Sequence, residues 1–342
     1  VRKDGFSLAE RIGQYTVKLT EKVYVHSYAA VAGKLEGEGP LGGQLDAVYN
    51  DAYLGEKSWE KAESRFQKKA LEQALLKGQL TPNDLNFVFA GDLLNQCIGS
   101  AYGLRDINVP FSGLFGACST MAQGLALGAV FIDSGAAQKC AALTSSHFCS
   151  AERQFRYPLE YGGQRPETSQ WTVTGSGAAV LSNQGAGTYI KAVSLGRIVD
   201  LGIKDANNMG AAMAPAAAQT IADYLKDTGT NQSHYDMIVT GDLGSVGSEL
   251  MLELLAEEGV DLGAKHTDCG TLIFDRARQD VYAGGSGCGC SAVVICSHIL
   301  NALRDKKIHE ALFVGTGALM SPTSVQQGES IPSIAHLVHF SG

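Results

Sequence analysis

With 342 residues, 45% of them hydrophobic and 18% charged, the chain has material for two core-forming lobes and is not a disordered protein. Its net charge of -8 argues against a nucleic-acid surface, which needs a basic stripe, but permits a small anionic ligand held by a local patch. No apolar run reaches the roughly 18 residues of a membrane helix, and the first 30 residues hold no signal-peptide core. The expectation is therefore a soluble chain, at most peripheral to a membrane.

In chain order, the first clear element is a helix. Trp59, Ala62, Phe66, Ala70 and Ala74, with Leu71 and Leu75 beside them, make one apolar face. A continuous apolar strand follows, Asn86-Phe-Val-Phe-Ala-Gly-Asp-Leu93, as in a strand buried on both faces. Gly113-Leu-Phe-Gly-Ala-Cys-Ser-Thr120 then leads from strand to helix, the helix is apolar nearly all round to Ile132, and 139–144 reads as a strand. After a joint near 184–187 the order repeats. Ile221 and Leu225 mark a helix, and Asp236-Met-Ile-Val-Thr-Gly-Asp-Leu243 matches the first strand without a gap at an offset of 150 residues. Cys290-Ser291 opens a second all-apolar helix to Leu303, and 311–314 is the matching strand. Two α/β lobes follow, 1–184 and 185–342, each with a helix sandwiched between layers.

The eight cysteines form no CxxC pair and mostly sit in apolar runs, which suits buried thiols in a reducing compartment. A zinc set of Cys288, Cys290, Cys296 and His298 lacks the usual structural spacing. Cys118 opens a helix, where backbone amides and the positive helix end favour thiolate; the plain alternative is a small residue at a tight turn. Asp92 and Asp242 follow strand ends, where ligands of open α/β sheets gather, or else each caps the next helix. His147 ends a strand and is either at a pocket edge or an ordinary hydrogen-bonded histidine. His298 lies on the helix begun by Cys290 and reads best as a polar bridge between layers. Arg153 and Arg156 are charged groups of the segment 150–170, a cap over the pocket or a salt-bridged surface. Trp171 and Tyr157 offer stacking faces, or serve as core or interface.

The duplicated lobe, the Ala-Cys-Ser elbow and Val173-Thr-Gly-Ser-Gly-Ala-Ala-Val-Leu181 resemble the thiolase and condensing-enzyme superfamily. That resemblance implies a layered α-β-α-β-α core. It also implies a cysteine that takes up an acyl group with help from a histidine and a second histidine, asparagine or cysteine. The two places where such partners stand read Val239-Thr-Gly-Asp-Leu243 and Ala283-Gly-Gly-Ser-Gly-Cys-Gly-Cys290, without histidine or asparagine. Asp242 in that place disfavours the thiolate, because a nearby carboxylate raises a thiol's pKa. Cys288 or Cys290 is the remaining candidate partner, against a packing role among the glycines.

Within this superfamily the chain resembles the stage V sporulation protein AD family. Ala90-Gly-Asp-Leu-Leu-Asn-Gln96, Leu114-Phe-Gly-Ala-Cys-Ser-Thr120, Ser145-Ser-His147, Ala151-Glu-Arg-Gln-Phe-Arg-Tyr-Pro158, Lys265-His-Thr-Asp-Cys-Gly270 and Glu329-Ser-Ile-Pro332 carry the match. The resemblance implies a binder of dipicolinic acid (pyridine-2,6-dicarboxylate). Such a binder works in an assembly that moves dipicolinate with calcium across the spore inner membrane, the membrane-spanning subunits being partners. It also implies a homodimer paired through the first-lobe sheet. A flat dianion needs donors around an apolar slot, and the elbow amides near Cys118 and Ser119 are one such set. Asp92 and Asp242 are candidate oxygen ligands should calcium accompany it. No other cofactor is expected. The competing readings are an acyltransferase using Cys118 with Cys288 or His147, and a structural subunit with a vestigial pocket.

Overall fold

The computed structural model describes residues 9–155 and 164–342. The first lobe contains β1 (Glu10–Ile12), β2 (Thr16–Gly33), α1 (Lys34–Gly37), β3 (Ala47–Tyr49), α2 (Trp59–Lys77), β4 (Phe87–Gly91), α3 (Ile98–Leu104) and β5 (Phe111–Gly113). It continues with α4 (Thr120–Asp133), β6 (Lys139–Ser146), α5 (Phe148–Phe155), β7 (Trp171–Thr172) and β8 (Gly175–Ser182). The second lobe has β9 (Tyr189–Ser194), α6 (Met209–Thr228), β10 (Met237–Thr240), α7 (Gly244–Glu257), β11 (His266–Asp268) and α8 (Cys269–Ile273). It closes with β12 (Gly285–Ser286), α9 (Cys288–Val294), α10 (Leu300–Arg304), β13 (Glu310–Ala318), α11 (Pro322–Gln326) and β14 (Ser333–Ser341). A π-helical turn, Ile295–Ile299, joins α9 to α10.

The duplication expected from the matched octets is written into the strand pairing. In the first lobe the order β2-β8-β6-β4-β5 runs antiparallel, antiparallel, parallel, parallel. In the second, β9-β14-β13-β10-β11 repeats that pattern step for step. The sheets meet through β2. Its early residues pair with β9 and its later ones with β8, so this one strand joins the sheets of the two lobes.

Helices complete five layers. α2 and α3 cover the outer face of the first-lobe strands, α6 and α7 that of the second, and α4 and α9 fill the middle. The sequence of α4 dictates its place. Met121, Ala122, Leu125, Ala126, Ala129 and Ile132 are all buried, so a helix without a polar face lies between two sheets. The first-lobe outer core is Phe66, Ala70, Leu71 and Ala74 against Val88, Leu143 and Val180, the stripe expected on α2. Two polar residues interrupt that stripe, Glu63 and Gln67, both fully buried. Among the described residues no helix is long and apolar enough to cross a membrane.

Candidate functional site

The N-terminal ends of the two middle helices converge with the C-terminal ends of their neighbouring strands, and a cavity of about 460 Å³ opens there. Its floor is Cys118. The preceding residue, Ala117, has φ of +50°, a left-handed conformation that costs an L residue energy and turns the chain sharply into α4. Gly317 on β13 lets this elbow approach. A methyl group there would lie 2.3 Å from the Gly116 carbonyl oxygen.

The group beside the sulfur is a carboxylate. The Cys118 thiol donates to Asp242, which is fully buried at the end of β10. Asp242 also accepts from Thr316 Oγ1 at 2.7 Å, Gly287 N at 2.8 Å and Ser286 Oγ at 3.2 Å. Burial pushes its pKa up, against the pull of these donors. Gly287, at φ +102°, holds the amide that meets Asp242, and a methyl group on it would sit 2.7 Å from Ser146 Oγ. The glycine-rich turn therefore serves close packing.

The two strand-end aspartates have different duties. Asp92 lines the cavity and accepts from Leu94 N at 2.9 Å, Ser100 N at 2.7 Å and Ser100 Oγ at 2.6 Å, so it anchors α3. Asp242 does not cap α7. Asp268 does, accepting from Leu243 N at 2.9 Å and Gly244 N at 3.0 Å, and burial raises Asp268 to about 7. Both aspartates turn their oxygens to N–H and O–H donors, and of the two it is Asp92 that lines the cavity. No group of three or more His, Cys, Asp or Glu among the described residues is placed to hold a metal ion; the zinc spacing set out above is no exception.

Several expected site residues lie elsewhere. Ser119 is buried but gives its hydroxyl to the Gly116 carbonyl at 2.6 Å and does not line the cavity. His147 is not at the pocket edge: its Nε2 faces the Ala52 carbonyl at 2.9 Å, its Nδ1 accepts from Cys149 N at 3.2 Å, and burial lowers its pKa. Both ring nitrogens are engaged, so it is a neutral structural histidine and no base for Cys118. His298 is half-buried, with Nδ1 3.1 Å from Gln44 Oε1, outside the cavity. Arg153 pairs with Glu60 and lies over the Trp59 ring, the surface alternative for that residue. Arg156 and Tyr157 fall outside the described residues. Trp171 stacks on Phe148 with ring centroids 3.7 Å apart. Cys288 is fully buried and donates to the Ser145 carbonyl at 2.9 Å, and burial pushes its thiol far up. Cys290 donates to the Gly241 carbonyl at 3.8 Å, again a buried thiol.

What lines the cavity instead is an apolar wall of Phe115, Phe155, Met209, Met213 and Met320, with Asn95, Gln96, Thr172 and Ser286 as polar groups. Glu152, unremarked in the sequence, is there too, and accepts from Thr172 Oγ1 at 3.2 Å. Behind Asp92 stands a buried polar chain. Gln67 donates to Ser100 Oγ at 2.9 Å and the Gly91 carbonyl at 3.1 Å, and Glu63 accepts from Ser150 Oγ at 2.7 Å. Burial, and then the charge of Asp92, drive Glu63 far above the usual carboxylate range. The signal was present on α2, where Glu63 and Gln67 sit one turn apart beside Phe66. No histidine lines the cavity among the described residues.

Known proteins share this fold. The solved structure of 3-oxoacyl-[acyl-carrier-protein] synthase III from Aquifex aeolicus VF5 superposes with a TM-score of 0.56 at 12% identity, covering 94% of this chain and 100% of that one. A single-residue variant of OleA from Xanthomonas campestris gives 0.61 at 12% identity, over 95% of this chain and 99% of that one. Identities this low establish the fold, a thiolase-like one of the condensing-enzyme type. In sequence, the Stage V sporulation protein AD of Bacillus subtilis (strain 168) is 47% identical over 328 residues, 96% of this chain and 97% of that protein. The family described as Stage V sporulation protein AD (SpoVAD) matches residues 13–341, and the chain belongs to that family.

Proposed function

We propose that this sporulation protein holds dipicolinate in the Cys118 cavity without transforming it. In this reading it serves as the ligand-binding subunit of an assembly that moves dipicolinate with calcium across the spore inner membrane. One observation supports this above the others: the elbow sulfur faces Asp242 rather than an imidazole. Acyl transfer needs a base or a balancing cation beside the thiol, and a carboxylate supplies neither a positive charge nor a stronger nucleophile. The cavity suits a flat ring. Phe115, Phe155 and three methionines form the slot, and the side-chain amides of Asn95 and Gln96 stand where carboxylates could be met. Asp92 on the cavity wall opposes a bare dianion and favours one neutralised by calcium, the metal travelling as cargo. A homodimer, and docking to membrane-spanning partners, belong to the same proposal.

Calorimetry and thermal melting with dipicolinate, with and without calcium, test it. Ligand at about 100 times its Kd should add about 2.7 kcal/mol to stability, with calcium strengthening the response. Isophthalate, which lacks the ring nitrogen, serves as the control. No heat and no melting shift under either condition would remove the receptor reading. Stoichiometric acylation of Cys118 by a thioester would replace it with an enzyme.

A further inference from the structure

The outer layer of the first lobe carries a groove of about 410 Å³ between α2 and the end of α3, far richer in positive charge than the chain as a whole. Lys61, Arg65, Lys68, Lys69 and Arg105 line it, with Tyr102 half exposed among them. Its acids are three, Glu56, Glu72 and Asp106. They pair with Arg65 at 2.8 Å, Lys69 at 2.9 Å and Lys68 at 3.5 Å. Such exposed pairs are individually weak and exchange readily, and the groove keeps an excess of two positive charges, five against three.

The outer layer of the second lobe is its opposite. Helix α7 contains no lysine or arginine and presents Glu249, Glu253 and Glu257, all exposed and four residues apart. Exposed Glu258 and Asp261 extend the run. None of these acids forms an ion pair among the described residues. Like charges at this spacing disfavour the helix that carries them, so the stripe is a standing cost unless something positive lies against it. The two ladders match in pitch. Lys61, Arg65 and Lys69 span eight residues of α2, as Glu249, Glu253 and Glu257 span eight of α7, about 12 Å in each case at 1.5 Å per residue.

We propose that the α2–α3 groove receives helix α7 of a second copy of this chain. Groove and stripe lie on the outer layers of different lobes, so the contact is heterologous. Each copy that fills one groove leaves its own groove free, so the assembly grows beyond a pair, as a ring where the rotation between copies closes and as an open row where it does not. The contact is electrostatic and therefore weak, and it is screened by salt.

Sedimentation velocity of the full chain over a concentration series tests this, at about 20 mM and about 500 mM salt. The expected result is growth with concentration at low salt beyond the species that persists at high salt, with association at least about tenfold weaker at high salt. K61E/R65E and E249K/E253K should each abolish that growth while melting like the parent protein. An equimolar mixture of the two should restore it, because each reversed face then meets its complement on the other variant. Sedimentation unaffected by salt, growth that survives in either variant, or a folded mixture that stays unassembled would each overturn the proposal. Capture on phosphatidylglycerol vesicles without growth in solution would assign the groove to an anionic surface instead, and would overturn it as well.

Discussion

Cys118 is placed as a nucleophile would be, at an elbow where no histidine lines the cavity among the described residues. The elbow, its strained Ala117 and the start of α4 all survive, yet the partner is Asp242, tied down by Gly287, Thr316 and Ser286. A carboxylate that accepts from a thiol favours the protonated form of that thiol. Alkylation of Cys118 by iodoacetamide near pH 7.5 should therefore run slower than for a free thiol, and Asp242→Asn should accelerate it by about tenfold. The same change leaves Gly287 N or Thr316 Oγ1 poorly matched, at a cost of about 1–3 kcal/mol. Equal labelling rates for the two proteins would show that the carboxylate does not govern the sulfur. The sequence disclosed Cys118 and the missing histidines. Through the resemblance it also pointed to Asp242 as the carboxylate near the thiol, but not to Gly287, Thr316 and Ser286 as the groups that hold it.

At the scale of elements, buried carboxylates tie short segments together. Glu36, in the single-turn α1, is buried and accepts from Thr174 N at 2.9 Å at the approach to β8. Burial raises its pKa from 4.5 to about 7. The folded protein thus holds this proton between about pH 4.5 and 7 while the unfolded chain has released it. Its favourable contribution is complete below the unfolded pKa and is lost as pH rises through that window, by at most about 1.4 kcal/mol per pH unit. Glu36→Gln keeps the acceptor for Thr174 and removes the charge. Denaturant unfolding should show the variant gaining on the parent from pH 5 to pH 8. A constant difference across that range would mean that Glu36 is ionised throughout. Such residues differ in how they read: Glu63 and Gln67 fall within the apolar stripe of α2, whereas Glu36 looks like a surface position until the layers close over it.

At the scale of the molecule, the duplicated lobes meet so that both middle helices aim their N-terminal ends at one cavity. The sheet ends at β5, beside exposed Phe111 and Tyr102. An unpaired strand edge with aromatic neighbours is a natural pairing surface, and the proposed homodimer joins two such edges. Residues 110 and 114 bond to β4, so in this parallel pairing the intervening Phe111 turns its N–H to the open edge, and proline at Phe111 removes a donor there. Phe111→Pro should then halve the mass seen by light scattering at high salt, with the melting profile of each lobe retained. A dimer that persists would place the contact on another face.

The periodicity of apolar residues was enough to define the duplication, the all-buried middle helices and the strand ends, since burial on one or both faces leaves a regular trace in the chain. That the two partner places hold neither histidine nor asparagine was likewise a matter of which residue types are absent. The wall of the cavity was not legible. Glu152, Met209, Met213 and Met320 come from separate stretches whose convergence depends on how the lobes dock. For His147, His298 and Arg153 the sequence offered the structural role as an alternative, and only the packing chose it; Ser119 was drawn to the Gly116 carbonyl. Local pattern records whether a side chain is buried; what it meets there is set by contacts between residues far apart in the chain, and only the assembled layers supply them.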